Sequence, residues 1–293
     1  MQRNVRRIIL GLAAAGVSWQ LLRVARAVHT ETGFFFAERF VASRPPDADS
    51  LGLLDVEFPG ADGAKLRGWY IPSKTGAAVV VAGGSGGNRS GMLEYARLIA
   101  LGGMGVLLFD WPGCGESEGK IGVGPKERDA VRAAVAFVSR QADVEAGRIG
   151  LFGFSLGAHV ALLAADSTPA RALVVEGVFS NPWEQGRAEY RAGGLATQWG
   201  ALLGDLLNGM EADTPDATAA ALRFAPRPLL VVAGTDDETV PLDLSRKVFE
   251  SAHEPKAFWL IKGARHGTYL TTDPTYGPRL RDFLTRELSQ TRP

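Results

Sequence analysis

Six short, densely apolar runs between positions 77 and 261, separated by stretches with helical spacing, narrow the folds open to this chain. They cover 77–82, 105–109, 148–152, 172–175, 228–233 and 257–261. Each is too short for a helix and too continuously apolar for a strand with one wet face, so each reads as a parallel strand buried on both sides. Between them Val131, Ala134, Val135 and Val138 recur at helical spacing after Pro125, a residue suited to a first helical turn. Leu280, Phe283, Leu284 and Leu288 repeat the pattern near the end. Alternation sustained this long predicts an α/β class fold, a mostly parallel sheet with helices on both faces. Ahead of it, 54–58 and 65–71 flank the turn signal Gly60-Ala-Asp-Gly63 and predict an N-terminal antiparallel hairpin.

Two segments stand outside this rhythm. Residues 1–42 begin with Arg3, Arg6 and Arg7, followed by an apolar stretch from Ile8 that includes Ser18 and Gln20 before Leu22. The segment reads as a hydrophobic anchor or a signal-like leader, and the expected location is membrane-associated through that anchor. A transmembrane helix is one form of it, although spanning takes about 20 apolar residues and this stretch is shorter, so a helix lying along the surface is the other form. Cleavage near Ala25-Arg-Ala27, giving a secreted or periplasmic protein, is the alternative, with Arg23 and Arg26 unusual neighbours for such a site. A third reading is a plain helix packed on the domain. The rest, 43–293, reads as one catalytic domain. Within it, about 180–224, Leu195, Trp199, Leu202, Leu203 and Leu206 form an amphipathic helix, expected as a small helical cap.

Charge excludes several functions. Lys and Arg total 32 and so do Asp and Glu, so nothing advertises a nucleic-acid partner. Cys114 is the only cysteine, which excludes an internal disulfide and a zinc site built on several thiolates. Gly84-Ser-Gly86 is followed by Arg89 where a dinucleotide fingerprint needs glycine, and there is no phosphate-loop Gly-Lys-Ser or Gly-Lys-Thr.

The chemistry centres on Gly153-Phe-Ser155-Leu-Gly157, which follows one apolar run and leads into the helix-forming 158–165. Strand, sharp turn and helix make a nucleophile elbow, in which small residues two places either side of the serine relieve crowding. A serine hydroxyl needs a base within hydrogen-bond reach, itself oriented by an acid. Of the four histidines, His29 lies in the N-terminal segment and His253 at the wrong end of a strand. His159 sits on the helix behind Ser155, where packing is its expected role. That leaves His266, on the loop after the last strand. The acid is expected after the preceding strand, where Asp236, Asp237 and Glu238 all stand, with Glu176 a further candidate at the end of 172–175. One oxyanion donor is expected from the backbone N–H of Leu156, immediately after the nucleophile. Cys114 has no histidine near it and is not expected to act.

Gly234, Asp237, Val240 and Pro241 resemble the acid-bearing Gly-x-x-Asp-x-x-Val-Pro loop of many α/β-hydrolases, which selects Asp237. The run 79–88 is similar to the family's strand followed by His-Gly-x-Gly-Gly, which implies Ser85 N–H as second oxyanion donor, with Gly83 where many relatives have histidine. Asp110-Trp-Pro-Gly113-Cys-Gly115-Glu-Ser117 resembles a structural turn of the same family. The hairpin Phe58-Pro-Gly-Ala-Asp62-Gly-Ala-Lys-Leu66-Arg-Gly-Trp69 looks like that of the BEM46-like and serine aminopeptidase S33-like members. The resemblance runs from about Phe36 to the end. It implies the α/β-hydrolase fold and a serine hydrolase with triad Ser155, Asp237 and His266. A carboxylesterase-like action on ester or thioester bonds of acyl or lipid-like small molecules follows, without metal or cofactor. The alternatives are an amidase or aminopeptidase of the same fold, or a non-catalytic binding protein.

Overall fold

The computed structural model describes residues 2–35, 39–122, 124–207 and 216–289, so 208–215 of the expected cap and Phe36 lie outside the described residues, as do the side chains of Arg3, Arg6 and Arg7. The chain runs α1 (Gln2–Phe35), α2 (Ala48–Leu51), β1 (Leu54–Pro59), β2 (Lys65–Ile71), β3 (Gly76–Ala82), α3 (Leu93–Ala100) and β4 (Gly105–Phe109). It continues α4 (Pro125–Val138), β5 (Val144–Phe154), α5 (Leu156–Ala165), β6 (Ala172–Glu176), α6 (Pro182–Glu189), α7 (Gly194–Leu207) and α8 (Ala217–Phe224). Then come β7 (Leu229–Gly234), α9 (Leu242–Ser251), β8 (Lys256–Ile261), α10 (Tyr269–Thr272) and α11 (Tyr276–Ser289).

The eight strands form one sheet in the order β1-β2-β4-β3-β5-β6-β7-β8. β1 and β2 pair antiparallel with Phe58 opposite Leu66, β2 meets β4 antiparallel, and every pairing from β4 to β8 is parallel. Because successive side chains in a strand point to opposite faces, a strand buried on both sides supplies two cores. β3 shows this: Ala78, Val80 and Ala82 pack beneath α4, α5, α8 and α9, while Ala77, Val79 and Val81 pack beneath α3 and α11. β5 starts earlier than its apolar run because the polar stretch around Glu145 conceals its first residues.

The segment expected as a cap contains the expected helix, α7, but not with the expected face inward. Gly200, Ala201, Leu202 and Gly204 are buried, whereas Leu195, Trp199, Leu203 and Leu206 are exposed. The reason is a close crossing with α1. A Cβ at Gly200 would lie 2.8 Å from that of Ala27, and one at Gly204 would lie 2.6 Å from that of Glu31, so only glycine lets the two backbones approach this far.

The transmembrane reading of the N-terminal segment is overturned. Among the described residues no helix is long and apolar enough to cross a membrane. α1 has length to spare, but Ser18, Gln20, Arg23 and Arg26 break its apolar stretch before it reaches spanning length. Ala25 and Ala27 lie within α1, with Ala27 buried at the crossing.

Candidate active site

Three parallel strands deliver the chemistry to one rim of the sheet. β5 ends at Phe154 and turns directly into α5, leaving Ser155 at φ 54°, ψ −120°. It is the one non-glycine residue with positive φ among the described residues. A strained conformation of this kind persists only where its surroundings over-determine it. The close neighbours are visible: a Cβ at Gly153 would meet Ala158 Cα at 2.6 Å, and one at Gly157 would meet the carbonyl carbon of Ala82 at 2.6 Å.

The loop after β8 brings His266 Nε2 to 3.0 Å from Ser155 Oγ. The loop after β7 brings Asp237 Oδ2 to 2.9 Å from His266 Nδ1. Ser155 and His266, 111 positions apart in sequence, are thereby brought into contact, and the same imidazole links the serine to Asp237. The Asp237 side chain is 1% exposed and that of His266 20%. Burial pushes the Asp237 carboxyl up, but hydrogen bonds from His266 and Tyr269, together with the backbone N–H of Val240 to Oδ1 at 2.7 Å, outweigh it and hold the group below the ordinary carboxylate value. Asp237 is therefore an anion at neutral pH, and it accepts from an Nδ1–H, which leaves Nε2 as the lone-pair nitrogen facing the serine.

The other candidates fall elsewhere. Asp236 accepts from the Thr235 hydroxyl at 2.7 Å. Glu176, at the end of β6, is fully buried and accepts from the hydroxyls of Tyr95, at 2.6 Å, and Tyr276. Burial raises its carboxyl to about 7, with the Asp237 charge adding to the rise and the two tyrosine hydrogen bonds opposing it. His159 is fully buried, stacks on Phe179 and sets Nδ1 3.2 Å from the Phe179 carbonyl, and burial drives it down to about 4. Burial also pushes the Cys114 thiol up to about 11, which leaves it inert as a nucleophile at neutral pH.

A cavity of about 430 Å³ opens on Ser155 and His266, with Ser85 and Leu156 in its wall. Phe154, Phe179 and Pro182 give it apolar sides. Its far end is formed by Glu31 of α1, Asp205 of α7 and Tyr190, whose hydroxyl donates to Glu31. Burial, reinforced by Glu31, pushes Asp205 up to about 7.

Several neighbours of the site carry little signal in local spacing. Tyr269 is fully buried and donates its hydroxyl to Asp237 Oδ2, a second donor to the oxygen that receives the imidazole. Its position three residues after His266 is the one clue. The glycine loop that lacks histidine at 83 is braced from outside: Trp111 Nε1–H donates to the carbonyls of Gly83 at 3.2 Å and Gly84 at 3.1 Å. Arg89 closes the same loop, its N–H donating to Asp110 Oδ1 at 2.7 Å and its guanidinium, beneath the Trp69 ring, pairing with Asp110 and Glu116.

Fold and rim together define an α/β-hydrolase, and sequence comparison agrees: residues 78–276 match the model of the alpha/beta hydrolase family, so the chain belongs to that family and is a hydrolase. It is 36% identical over 242 residues to Rv2307c of Mycobacterium tuberculosis, covering 81% of this chain and 79% of that protein. It is 28% identical over 256 residues to human protein ABHD12B, covering 79% and 68%, and it fits the BEM46-like group. In three dimensions it superposes on an esterase of Pyrococcus furiosus, Pf2001, with TM-score 0.74 at 22% identity, covering 86% of this chain and 97% of that one.

Proposed function

We propose that the protein is a serine esterase that cleaves ester or thioester bonds of acyl substrates, with Ser155 as nucleophile, His266 as general base and Asp237 as the acid that orients it. The hydrogen-bonded line from Ser155 Oγ through His266 to Asp237 carries this reading. A serine hydroxyl is a poor nucleophile until a base takes its proton, and here the acceptor nitrogen lies within hydrogen-bond reach. His266 Nε2 accepts the proton as Oγ bonds to the acyl carbon, and Asp237 stabilises the imidazolium that forms. The backbone N–H groups of Ser85 and Leu156 receive the negative oxygen. His266 then donates the proton to the departing alcohol or thiol, leaving an acyl-enzyme. Water, deprotonated by the same imidazole, releases the acid.

The segment 180–224 acts as a cap, since its helices α6 and α7 wall the cavity over the nucleophile, and residues 1–42 form a membrane-associating arm on the catalytic domain. The substrate is a small acyl ester or lipid-like molecule, and the esterase superposition supports that choice.

Replacing Ser155 by Ala should lower turnover by roughly four to six orders of magnitude and abolish labelling by a fluorophosphonate probe. A panel of short-chain esters, long-chain esters and aminoacyl amides read on the wild type separates the esterase from an amidase of the same fold. Near-normal ester hydrolysis by the Ser155→Ala protein sinks the assignment.

A further inference from the structure

α7 is built inside out. Leu195, Trp199, Leu203, Leu206 and Leu207 follow each other at spacings of one to four residues along one side, while Gly200 and Gly204 line another. In a water-soluble helix the large apolar stripe faces the core and the small or polar one faces solvent. Here the order is reversed. Leu195 is 71% exposed, Trp199 65% and Leu207 68%, while the glycines are pressed onto α1. α1 answers in kind: Ala27 is 5% exposed, and Leu12, Trp19, Leu21 and Leu22 are all at least 60% exposed. Small residues inside and large ones outside is how helices associate in hydrocarbon, where close backbone approach and not water exclusion drives pairing.

Charge says which surface would cover this face. Arg3, Arg6, Arg7, Arg23 and Arg26 all belong to α1, whose single carboxylate is Glu31. Glu31 and Asp205, the one ionisable residue of α7, both line the catalytic cavity. In a chain with equal numbers of basic and acidic residues, this pair of helices is locally cationic and apolar at once. A groove of about 360 Å³ between them, lined by Trp19, Leu22 and Thr197, shares Thr30 and Tyr190 with the cavity that holds Ser155.

We propose that the outer face of α1 and α7 is a monotopic docking surface for an anionic phospholipid bilayer, lying along the membrane with the groove opening at the lipid. The exposed leucines and tryptophans enter the interfacial region, and Arg23 and Arg26 meet lipid phosphates. The surface itself stands on the two helices. Delivery of substrate through the groove is the part that rests on the esterase reading.

The test is co-sedimentation of the full chain with vesicles of equal parts phosphatidylglycerol and phosphatidylcholine, and with phosphatidylcholine alone. Wild type should pellet with the mixed vesicles and more weakly with the neutral ones. Leu195→Glu/Leu203→Glu/Leu207→Glu should lose about tenfold or more of that partition while hydrolysing a soluble short-chain ester at the wild-type rate. If the triple variant does not fold, Arg23→Gln/Arg26→Gln provides a second reading, expected to weaken the preference for phosphatidylglycerol severalfold. Wild type remaining in the supernatant overturns the proposal, as does a folded triple variant that pellets unchanged, or an unaltered preference in the arginine variant. Light scattering that shows the triple substitution converting a dimer to a monomer, with no vesicle binding in either protein, also overturns it and assigns the face to a second copy. Vesicle binding that persists in a wild type unable to hydrolyse any ester supports the docking surface and defeats only the esterase reading.

Discussion

The ends of β6 and β7 hold two carboxylates, one strand apart, whose surroundings drive them in opposite directions. Asp237, after β7, is met by an imidazole, a tyrosine hydroxyl and backbone N–H groups, and it stays ionised below the ordinary carboxylate value. Glu176, on β6, is met by two tyrosine hydroxyls and no cation, and burial lifts it to about 7. Desolvation penalises both. The difference is that Asp237 has donors enough, one of them able to become positive, whereas Glu176 has too few and feels the charge of Asp237 as well. Position at a strand end does not decide the charge of a buried carboxylate; the donors that fold against it do.

The sharpest way to break this contrast is Asp237→Asn, which keeps shape and removes charge. Turnover on a soluble ester should fall by roughly four orders of magnitude, since the imidazole loses the partner that fixes its tautomer. A loss of only a few-fold would move the acid's role elsewhere, with Glu176 the next to test.

Tyr269→Phe removes one donor from Asp237 Oδ2 and leaves the imidazole in place. A drop of about tenfold in kcat/KM is expected, with the acidic limb of the pH–rate profile displaced, because the carboxylate that stabilises the imidazolium has itself become more basic. An unchanged profile with lowered stability would make Tyr269 a packing residue only.

Glu176→Gln should leave kcat/KM within a few-fold of wild type, the smallest effect on activity, and show itself in stability. The folded chain keeps a proton on Glu176 that the unfolded chain releases above pH 4.5, so this contribution is intact at low pH and is lost as pH rises through about 7. At 1.36 kcal/mol per pKa unit, wild type should lose about 3 kcal/mol relative to the glutamine variant between pH 4.5 and pH 8, read by chemical unfolding. His159 works the other way: held near 4 in the fold against 6.5 unfolded, it adds stability above pH 6.5 that is lost as pH falls toward 4. Wild type alone therefore shows a blunted pH dependence, and the difference between the two proteins isolates Glu176. A difference that does not change with pH would mean that the buried carboxyl is ionised throughout.

Much of the molecule was legible from local rules. Parallel strands at 77–82 and 105–109 announced themselves because a strand buried on both faces has to be apolar at every position, and the hairpin because its turn needs glycine at fixed places. Gly153, Ser155 and Gly157 were readable because a turn that tight tolerates few residues. The acid loop was readable only in part: spacing offered Asp236, Asp237 and Glu238 alike, and the choice of Asp237 came from resemblance. The groups that tune the site were not legible, because a hydroxyl such as that of Tyr269, or the brace from Arg89 to Asp110, is defined by which side chain arrives from a distant element.

The helix at 194–207 marks the boundary between the two kinds of information. The residues alone determined that it is a helix and that one side is rich in leucine, since both depend on neighbours within a turn or two. Which side faces inward depended on α1, more than 160 positions earlier, laying Ala27 and Glu31 across Gly200 and Gly204. Hydrophobic periodicity reports what a helix has to bury, whereas the close approach of two backbones decides what it does bury, and that approach exists only in the tertiary structure.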